Sequence, residues 1–156
     1  DLSGGASDTV SSGTFTAKKY LMVEFFAEAS GDINTDVTFN NDSSGTNGVN
    51  GNYSQRWSSD GGSDGTSANL NRFDMDTTRA VSTFHKLFIV NNQSNEKLVI
   101  TQSVGNATAG AGTAPHRQEL VAKWANTSDQ ITRIDMTNVQ TGSYGTNSFL
   151  KVWGSD

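Results

Sequence analysis

The stretch "TFTAKKYLMVEFFAEAS", residues 14–30, decides the fold class. Aromatic and β-branched residues dominate it, which is typical of strands. Alternate positions from Leu21 to Ala29 are apolar, and the intervening positions from Tyr20 to Glu28 mix apolar with charged side chains. A period of two predicts a strand with one face in a core and the other face directed outward.

Similar alternation recurs along the chain and predicts an all-β protein. Residues 68–75 are ambiguous, and residues 116–126 fit a short helix or a strand, of which the surrounding pattern favours the strand. The remaining predicted strands are 33–40, 53–58, 80–92, 97–104, 131–139 and 148–154. We expect an antiparallel β-sandwich of eight to nine strands. Its long loops at 40–52 and 59–68 suit the crossovers of a jelly-roll or Greek-key topology.

The length fits a single domain, which we place at 14–156 behind an N-terminal arm at 1–13. Gly, Ser, Thr and Asn together make up 68 of the 156 residues, as expected for many turns. There is no cysteine, so disulfides and thiol chemistry are excluded. The net charge of −5 argues against nucleic-acid partners and against docking on an anionic membrane.

No arrangement of residues predicts catalysis. The chain has two histidines, His85 within a predicted strand and His116 at a loop exit, and no nucleophile elbow. Glu24 and Glu28 share a strand face but lie roughly 13 Å apart at the usual rise, too far for a glycosidase pair. We therefore expect no enzyme, no catalytic residue and no cofactor.

A calcium ion is an open alternative in the acidic loops. The segment "DGGSDG", residues 60–65, begins like a calcium-binding loop. However, the third position, where the loop needs an oxygen-bearing side chain, is Gly62, and the twelfth, where it needs glutamate, is Asn71. Asp74 and Asp76 would share a face if extended. Ordinary turn chemistry explains the same residues, so we assign no metal site.

Carbohydrate binding is a second alternative. Stacking faces could come from the aromatic residues Tyr53, Trp57, Trp124, Tyr144 and Trp153. The tryptophans, however, lie on patterned strands, where core or interface positions are more common.

Two stretches resemble a module of tail-fibre, tail-tip and decoration proteins of tailed phages and related viruses. They are "YLMVEFFAEASGDINTDVTFNNDSSGTN" with the following "NYSQRWSSDGGSDGTS", and "WANTSDQITRIDMTNVQTGSYGTNSFLKVWG". The resemblance covers roughly residues 14–154. It implies a jelly-roll domain on the outside of a virion, commonly a homotrimer, and it carries no catalytic or cofactor residue.

Together, these observations and the resemblance predict a non-enzymatic virion surface protein that forms a homo-oligomer and presents loops for host attachment. Tyr20, Met22 and Phe26 are costly to leave in water, so we expect their face to meet a neighbouring subunit or the second sheet. The loops within 40–71 are the expected contact region for other virion proteins or a host glycan or protein, with the candidate residues Tyr53, Arg56, Trp57, Asp60 and Asp64.

Two alternatives to that function remain. One is a carbohydrate-binding module or lectin of an extracellular protein. The other is a filament subunit in which the arm at 1–13 is donated as a strand to the next subunit.

Overall fold

The computed structural model describes residues 1–2, 4–60, 62–75, 78–106 and 110–156. It confirms the predicted all-β antiparallel sandwich, and no helix occurs in these ranges. The strands are β1 (Thr9–Ser11), β2 (Tyr20–Ala27), β3 (Thr35–Phe39), β4 (Tyr53–Ser59), β5 (Ser63–Leu70), β6 (Phe73–Asp74), β7 (Thr83–Val90), β8 (Lys97–Gly105), β9 (His116–Trp124), β10 (Ile134–Asn138) and β11 (Phe149–Ser155).

The strands form a four-stranded sheet and a seven-stranded sheet. The small sheet has the order β1-β10-β3-β6, and the large sheet has the order β11-β2-β7-β8-β9-β4-β5. Strands β7, β8 and β9 are a meander at the centre of the large sheet. The chain leaves the large sheet after β2 to form β3 in the small sheet, and again after β9 to form β10, and each time it returns to the large sheet. These crossovers between sheets are of the kind that a Greek-key topology requires.

The core lies between the sheets and is built from the predicted inward faces. On β2, Leu21, Val23, Phe25 and Ala27 are all buried. At one end of the core, four rings form a cluster with centroid separations of 5.6–6.3 Å, contributed by Phe39, Tyr53, Phe73 and Trp124. Burial of rings this large is a main stabilising contribution in a chain without disulfides.

Residues 59–68, predicted to be a long loop, are mostly strand. Strand β5 pairs with β4, with a register shift between Tyr53 and Gln55, and forms the edge of the large sheet. The prediction was wrong because β5 has the sequence "SDGTSANL", which lacks apolar alternation. An edge strand with both faces largely in water does not need that alternation.

The segment expected to be a free arm lies along the small sheet. Within it, β1 pairs with β10, and Val10 is buried between the sheets. Together with β5 and the two-residue β6, this short strand raises the total from the expected eight or nine to eleven.

Asparagine carboxamides fix several of the crossovers. Asn91 is fully buried, accepts a hydrogen bond from the amide of Ile131 at 2.6 Å, and donates to the carbonyl oxygens of Lys18 and Ile131. Asn40, with a φ of 54°, accepts from the amides of Thr132 and Arg133 and donates to the Gln130 carbonyl. These side chains satisfy backbone groups that the sheets leave unpaired.

Candidate interaction surface

The outer face of the large sheet presents many apolar side chains to solvent. Tyr20, Met22 and Phe26 lie on this face of β2, each at least partly exposed. The small sheet packs on the opposite face, against residues such as Val23 and Phe25. Of the two contacts expected for Tyr20, Met22 and Phe26, the one with the second sheet is wrong, because a strand presents alternate residues to opposite sides. Their contact with a neighbouring subunit stays a prediction.

The strand register aligns five apolar side chains into one row across five strands. Consecutive members are cross-strand partners. The apolar row consists of Trp153, Met22, Phe88, Ile100 and Val121. Trp153, Phe88, Val121 and Ile100 are 44%, 48%, 50% and 58% exposed, so the row is a continuous apolar surface rather than isolated residues. Arg56 on β4 follows Val121 in the same register.

A row of mainly charged residues runs beside the apolar row. In strand order from β11 to β5 it consists of Lys151, Glu24, Lys86, Gln102, Glu119, Ser58 and Asp64. Lys86 lies 3.7 Å from Glu24 within the row. Both lysines belong to the β11–β7 half, whereas Glu119 and Asp64 lie on the β9–β5 half. The charged row thus crosses the whole sheet, with its lysines in one half and only acidic charges in the other.

On the other side of the apolar row lie Tyr20, Val90 and Leu98, followed by Lys123. Val90 and Leu98 are exposed, which widens the apolar surface at the centre of the sheet. Lys123 forms an ion pair with Glu96 at 2.9 Å at the margin of this surface.

The outer face is concave over the β8–β5 half. A groove of about 760 Å³ is bounded by Tyr20 and Phe88 on one side and by Thr66 and Ala68 on the other, with Leu98 and Ile100 between them. A second concavity of about 790 Å³ adjoins it beside Arg56, Asp64, Gln102 and Glu119. Large rings thus occupy the β11–β7 half of the face, whereas β4 and β5 carry small side chains apart from Arg56 and Asp64.

The residues expected to contact a partner or glycan differ in their exposure to solvent. Arg56 and Asp64 are exposed on the outer face. Tyr53 is only 2% exposed, and its hydroxyl accepts a hydrogen bond from the Phe39 amide and donates to the Asp42 carbonyl. Tyr53 is a core residue, so its assignment as a contact residue was wrong. The ring of Trp57 is half-buried against the core, over Gly65.

Asp60 takes part in a local ion-pair cluster. Its carboxylate lies 2.9 Å from Arg79 and 2.8 Å from Nδ1 of His116, and it accepts a hydrogen bond from the Arg117 amide at 2.7 Å. The hydrogen bond from that amide lowers the pKa of Asp60, with further contributions from His116 and Arg79. These bonds join the β4–β5 turn to the start of β9.

The other acidic residues that were considered for a calcium site do not form a cluster with Asp60. Within the part of the chain that the structure describes, no group of three or more His, Cys, Asp or Glu side chains could hold a metal ion. Asp74 instead pairs in register with Asp36 on β3, next to Arg72. Gly61 and Asp76, which belong to the two acidic stretches considered above, lie outside the described residues.

His85 is enclosed in the core. Its ring stacks on Phe25 at a centroid distance of 5.8 Å, and its nitrogens lie 2.8 Å from the Thr83 hydroxyl and 2.6 Å from the Ser103 hydroxyl. Burial lowers the pKa of His85 to about 3, so the imidazole is neutral at physiological pH. The Ser103–His85 pair has no access to a substrate, because both side chains are buried.

The apolar row was missed from the sequence except for Met22. The alternation of β7, β8 and β9 reveals which residues share a face, but cross-strand register decides which of them become neighbours. The sequence did indicate this surface, because large apolar residues occupy outward-facing positions of these strands: Phe88, Ile100 and Val121.

The described residues include no helix that is long and apolar enough to cross a membrane. Comparisons with protein-family models, with curated proteins and with solved structures each return no match to this chain. The resemblance of residues 14–154 to a tail-fibre module therefore stays a prediction, and the surface described above carries the functional argument.

Proposed function

We propose that this chain is a non-enzymatic structural protein of an outer virion part, such as a tail fibre, fibre head or capsid decoration. It works as a homo-oligomer and presents its loops for host attachment. The observation that carries this proposal is the exposed apolar face of the large sheet. A contiguous exposed apolar surface that is bordered by a row of charged residues is typical of a protein interface.

Several groups that could take part in acid–base chemistry are engaged in structural contacts. His85 is sealed in the core, and the carboxylates of Asp36 and Asp74 lie beside the guanidinium of Arg72 rather than in an open cleft with a nucleophile.

The loop between β3 and β4 suits attachment to a host. Its residues from 43 to 50 are exposed, and Val49 is 67% exposed. Exposed loops held by a rigid sheet are a common place for binding residues. Asp42 anchors the base of this loop, because it accepts hydrogen bonds from Asn52 and from the indole of Trp124.

Antibody labelling of intact particles tests the location. Antibodies raised against the purified chain should decorate the outside of native virions in electron micrographs, and density for the particle should accommodate this sandwich. Particles that lack the chain, or that expose it only after disruption, would contradict the proposal. Purified chain should also compete with virions for host cells, and Val49→Asp should weaken that competition.

Carbohydrate binding is the second candidate function, favoured by the concavity beside Arg56 and Asp64. An arginine and a carboxylate at the edge of an open cleft can hydrogen-bond sugar hydroxyls. A glycan array with Arg56→Ala and Asp64→Ala tests this candidate, and Lys151→Ala at the opposite edge of the same face is the matched control. Tyr53→Ala is unsuitable for this purpose, because it would disrupt the core.

Strand donation by the arm is the third candidate. In the single chain β1 is already paired with β10. A filament would require β1 to leave this pairing and to occupy the same place in a neighbour. Deletion of residues 1–13 would then abolish filaments and leave a folded domain.

A further inference from the structure

We propose that two copies of this chain associate face to face through the outer face of the large sheet, with a two-fold axis running along β8. The inference rests on the proposed homo-oligomer and specifies its contact and symmetry. It differs from the trimer that the resemblance implies. Three independent properties of the face point to this arrangement: its area, its distribution of bulk and its distribution of charge.

The area is sufficient for a stable contact. Seven strands spaced ~4.8 Å apart and about eight residues long cover a footprint of roughly 850 Å². A standard protein–protein interface buries about 800 Å² on each partner. Within the footprint, the apolar row with Val90 and Leu98 is bordered on one side by the charged row, and a further row with Phe26, Phe84 and Val104 lies beyond the charged row.

The distribution of bulk is self-complementary about β8. An axis along β8 places β7 over the partner's β9, β2 over its β4 and β11 over its β5. The rings of Phe88 and Trp153 then face the region of the partner's Val121 and Thr66, respectively. The groove over the β8–β5 half is in this way filled by the large side chains from the β11–β7 half of the other copy. Each copy thus fills the groove of the other, as an isologous contact requires.

The distribution of charge is self-complementary about the same axis. Within the charged row, Lys86 on β7 meets the partner's Glu119 on β9, and Lys151 on β11 lies on the side of the partner's Asp64 on β5. Each of these pairings occurs twice. An axis along β7 would instead oppose Lys86 to its own copy, and an axis between β7 and β8 would oppose Glu24 to Glu119. Both alternatives bring like charges together, which disfavours them.

The residues closest to the axis are the most sensitive to the contact. Aligned sheets pack at about 30° because they are twisted, so pairs far from β8 shift in register while pairs beside it do not. Ile100 on β8 meets its own copy, and Lys86 and Glu119 flank it by one strand on each side. These three residues are exposed or half-exposed in the single chain, so replacing them has little effect on the core.

Sedimentation velocity over a wide concentration range tests the proposal with the full chain. The wild type should sediment as a dimer, and Ile100→Asp should sediment as a monomer because it places two carboxylates on the axis. Lys86→Glu and Glu119→Lys should each weaken dimerisation by about tenfold or more, and the double variant should recover most of the wild-type affinity. Asp8→Lys reverses an exposed charge beside the other sheet and is the matched control. Thermal denaturation of every variant checks that the fold is intact.

The alternative outcomes separate this inference from the proposed function. Association into dimers, trimers or larger assemblies that Ile100→Asp and the charge reversals leave unchanged would overturn the face-to-face dimer and leave the homo-oligomer standing. Single charge reversals that weaken association without recovery in the double variant would also overturn it. A wild type that stays monomeric at every concentration would overturn both this dimer and the proposed homo-oligomer.

Discussion

The indole of Trp57 lies directly over the backbone of Gly65, its cross-strand partner on the edge strand β5. A methyl group at residue 65 would occupy the space of that ring. We predict that Gly65→Ala displaces Trp57 from the core and lowers the free energy of unfolding by about 1–3 kcal/mol, a typical cost of overpacking. Urea denaturation followed by tryptophan fluorescence measures the change.

Two variants make the Gly65 test specific. Gly112→Ala adds a methyl group at a glycine with open space around it, so it should be nearly neutral. In a Trp57→Ala background, Gly65→Ala should lose most of its cost because the ring is gone. An equal cost in both backgrounds would show that the strain at residue 65 does not come from Trp57.

His85 makes stability decrease in acid. Burial lowers the pKa of His85 to about 3, whereas the unfolded chain takes up this proton below about 6.5. Since the unfolded state binds the additional proton, the free energy of unfolding falls as the pH drops from about 6.5 towards 3. His85→Gln should flatten this decrease, even though it costs some stability at neutral pH through the lost stacking on Phe25.

The measurement for His85 is the urea midpoint at several values of pH between those limits. The slope with pH, rather than the stability at one pH, is the result that matters. Asn95→Ala, at an exposed position without a titrating side chain, is the control. A wild-type slope that persists in His85→Gln would assign the acid sensitivity to other groups.

Asp36 acts in the opposite direction. Burial raises the pKa of Asp36 to about 7, against the influence of the adjacent Arg72. The folded state then holds a proton that the unfolded chain releases above about pH 4, so the contribution of Asp36 to stability diminishes as the pH rises from about 4 to about 7. Asp36→Asn should be more stable than the wild type at about pH 8, by up to ~4 kcal/mol.

Denaturation of Asp36→Asn at about pH 5 and about pH 8 checks this prediction. The gain should be large at the higher pH and small at the lower pH. Asp8→Asn, at an exposed position, is the control. A variant that is less stable than the wild type at the higher pH would mean that the ion pair with Arg72 outweighs the cost of burying the carboxylate.

Asn91 should be among the most sensitive polar residues. Its carboxamide bonds the Ile131 amide and carbonyl and the Lys18 carbonyl in a fully buried position. Asn91→Ala removes the hydrogen bonds to these three groups, and we expect a loss of at least about 3 kcal/mol, at about 1–3 kcal/mol for each unsatisfied group. Thermal denaturation measures it, with exposed Asn95→Ala as the control. A loss as small as that of the control would show that water replaces the carboxamide.

Most of the strands could be predicted from the sequence, because a strand with one buried face must alternate. Strand β2 is the clearest case, with Leu21, Val23 and Phe25 inward and Tyr20 and Met22 outward. Strand β5 could not be predicted, since neither of its faces is sealed from water. The same limit applies to β1, in which Val10 alone is buried.

The interaction surface was predicted only in outline. Alternation identified the outer face of β2, but it could not place Met22 beside Phe88 and Trp153, because register depends on turns and bulges elsewhere. Tyr53 was misassigned for a related reason. Alternation puts Tyr53 and Trp57 on one face of β4, but it does not reveal how deeply the second sheet covers each of them.

The asparagines that join the crossovers also determine how this protein ages. With no cysteine, the fold has no thiol to oxidise. Asn138, like Asn91 and Asn40, both donates to backbone carbonyls and accepts from backbone amides. Hydrolysis of such an amide to a carboxylate, one of the reasons that asparagine is thermolabile, would turn a donor into an anion facing carbonyl oxygens. Deamidation of these asparagines is therefore one form of chemical damage that would open these loops during long storage in warm conditions.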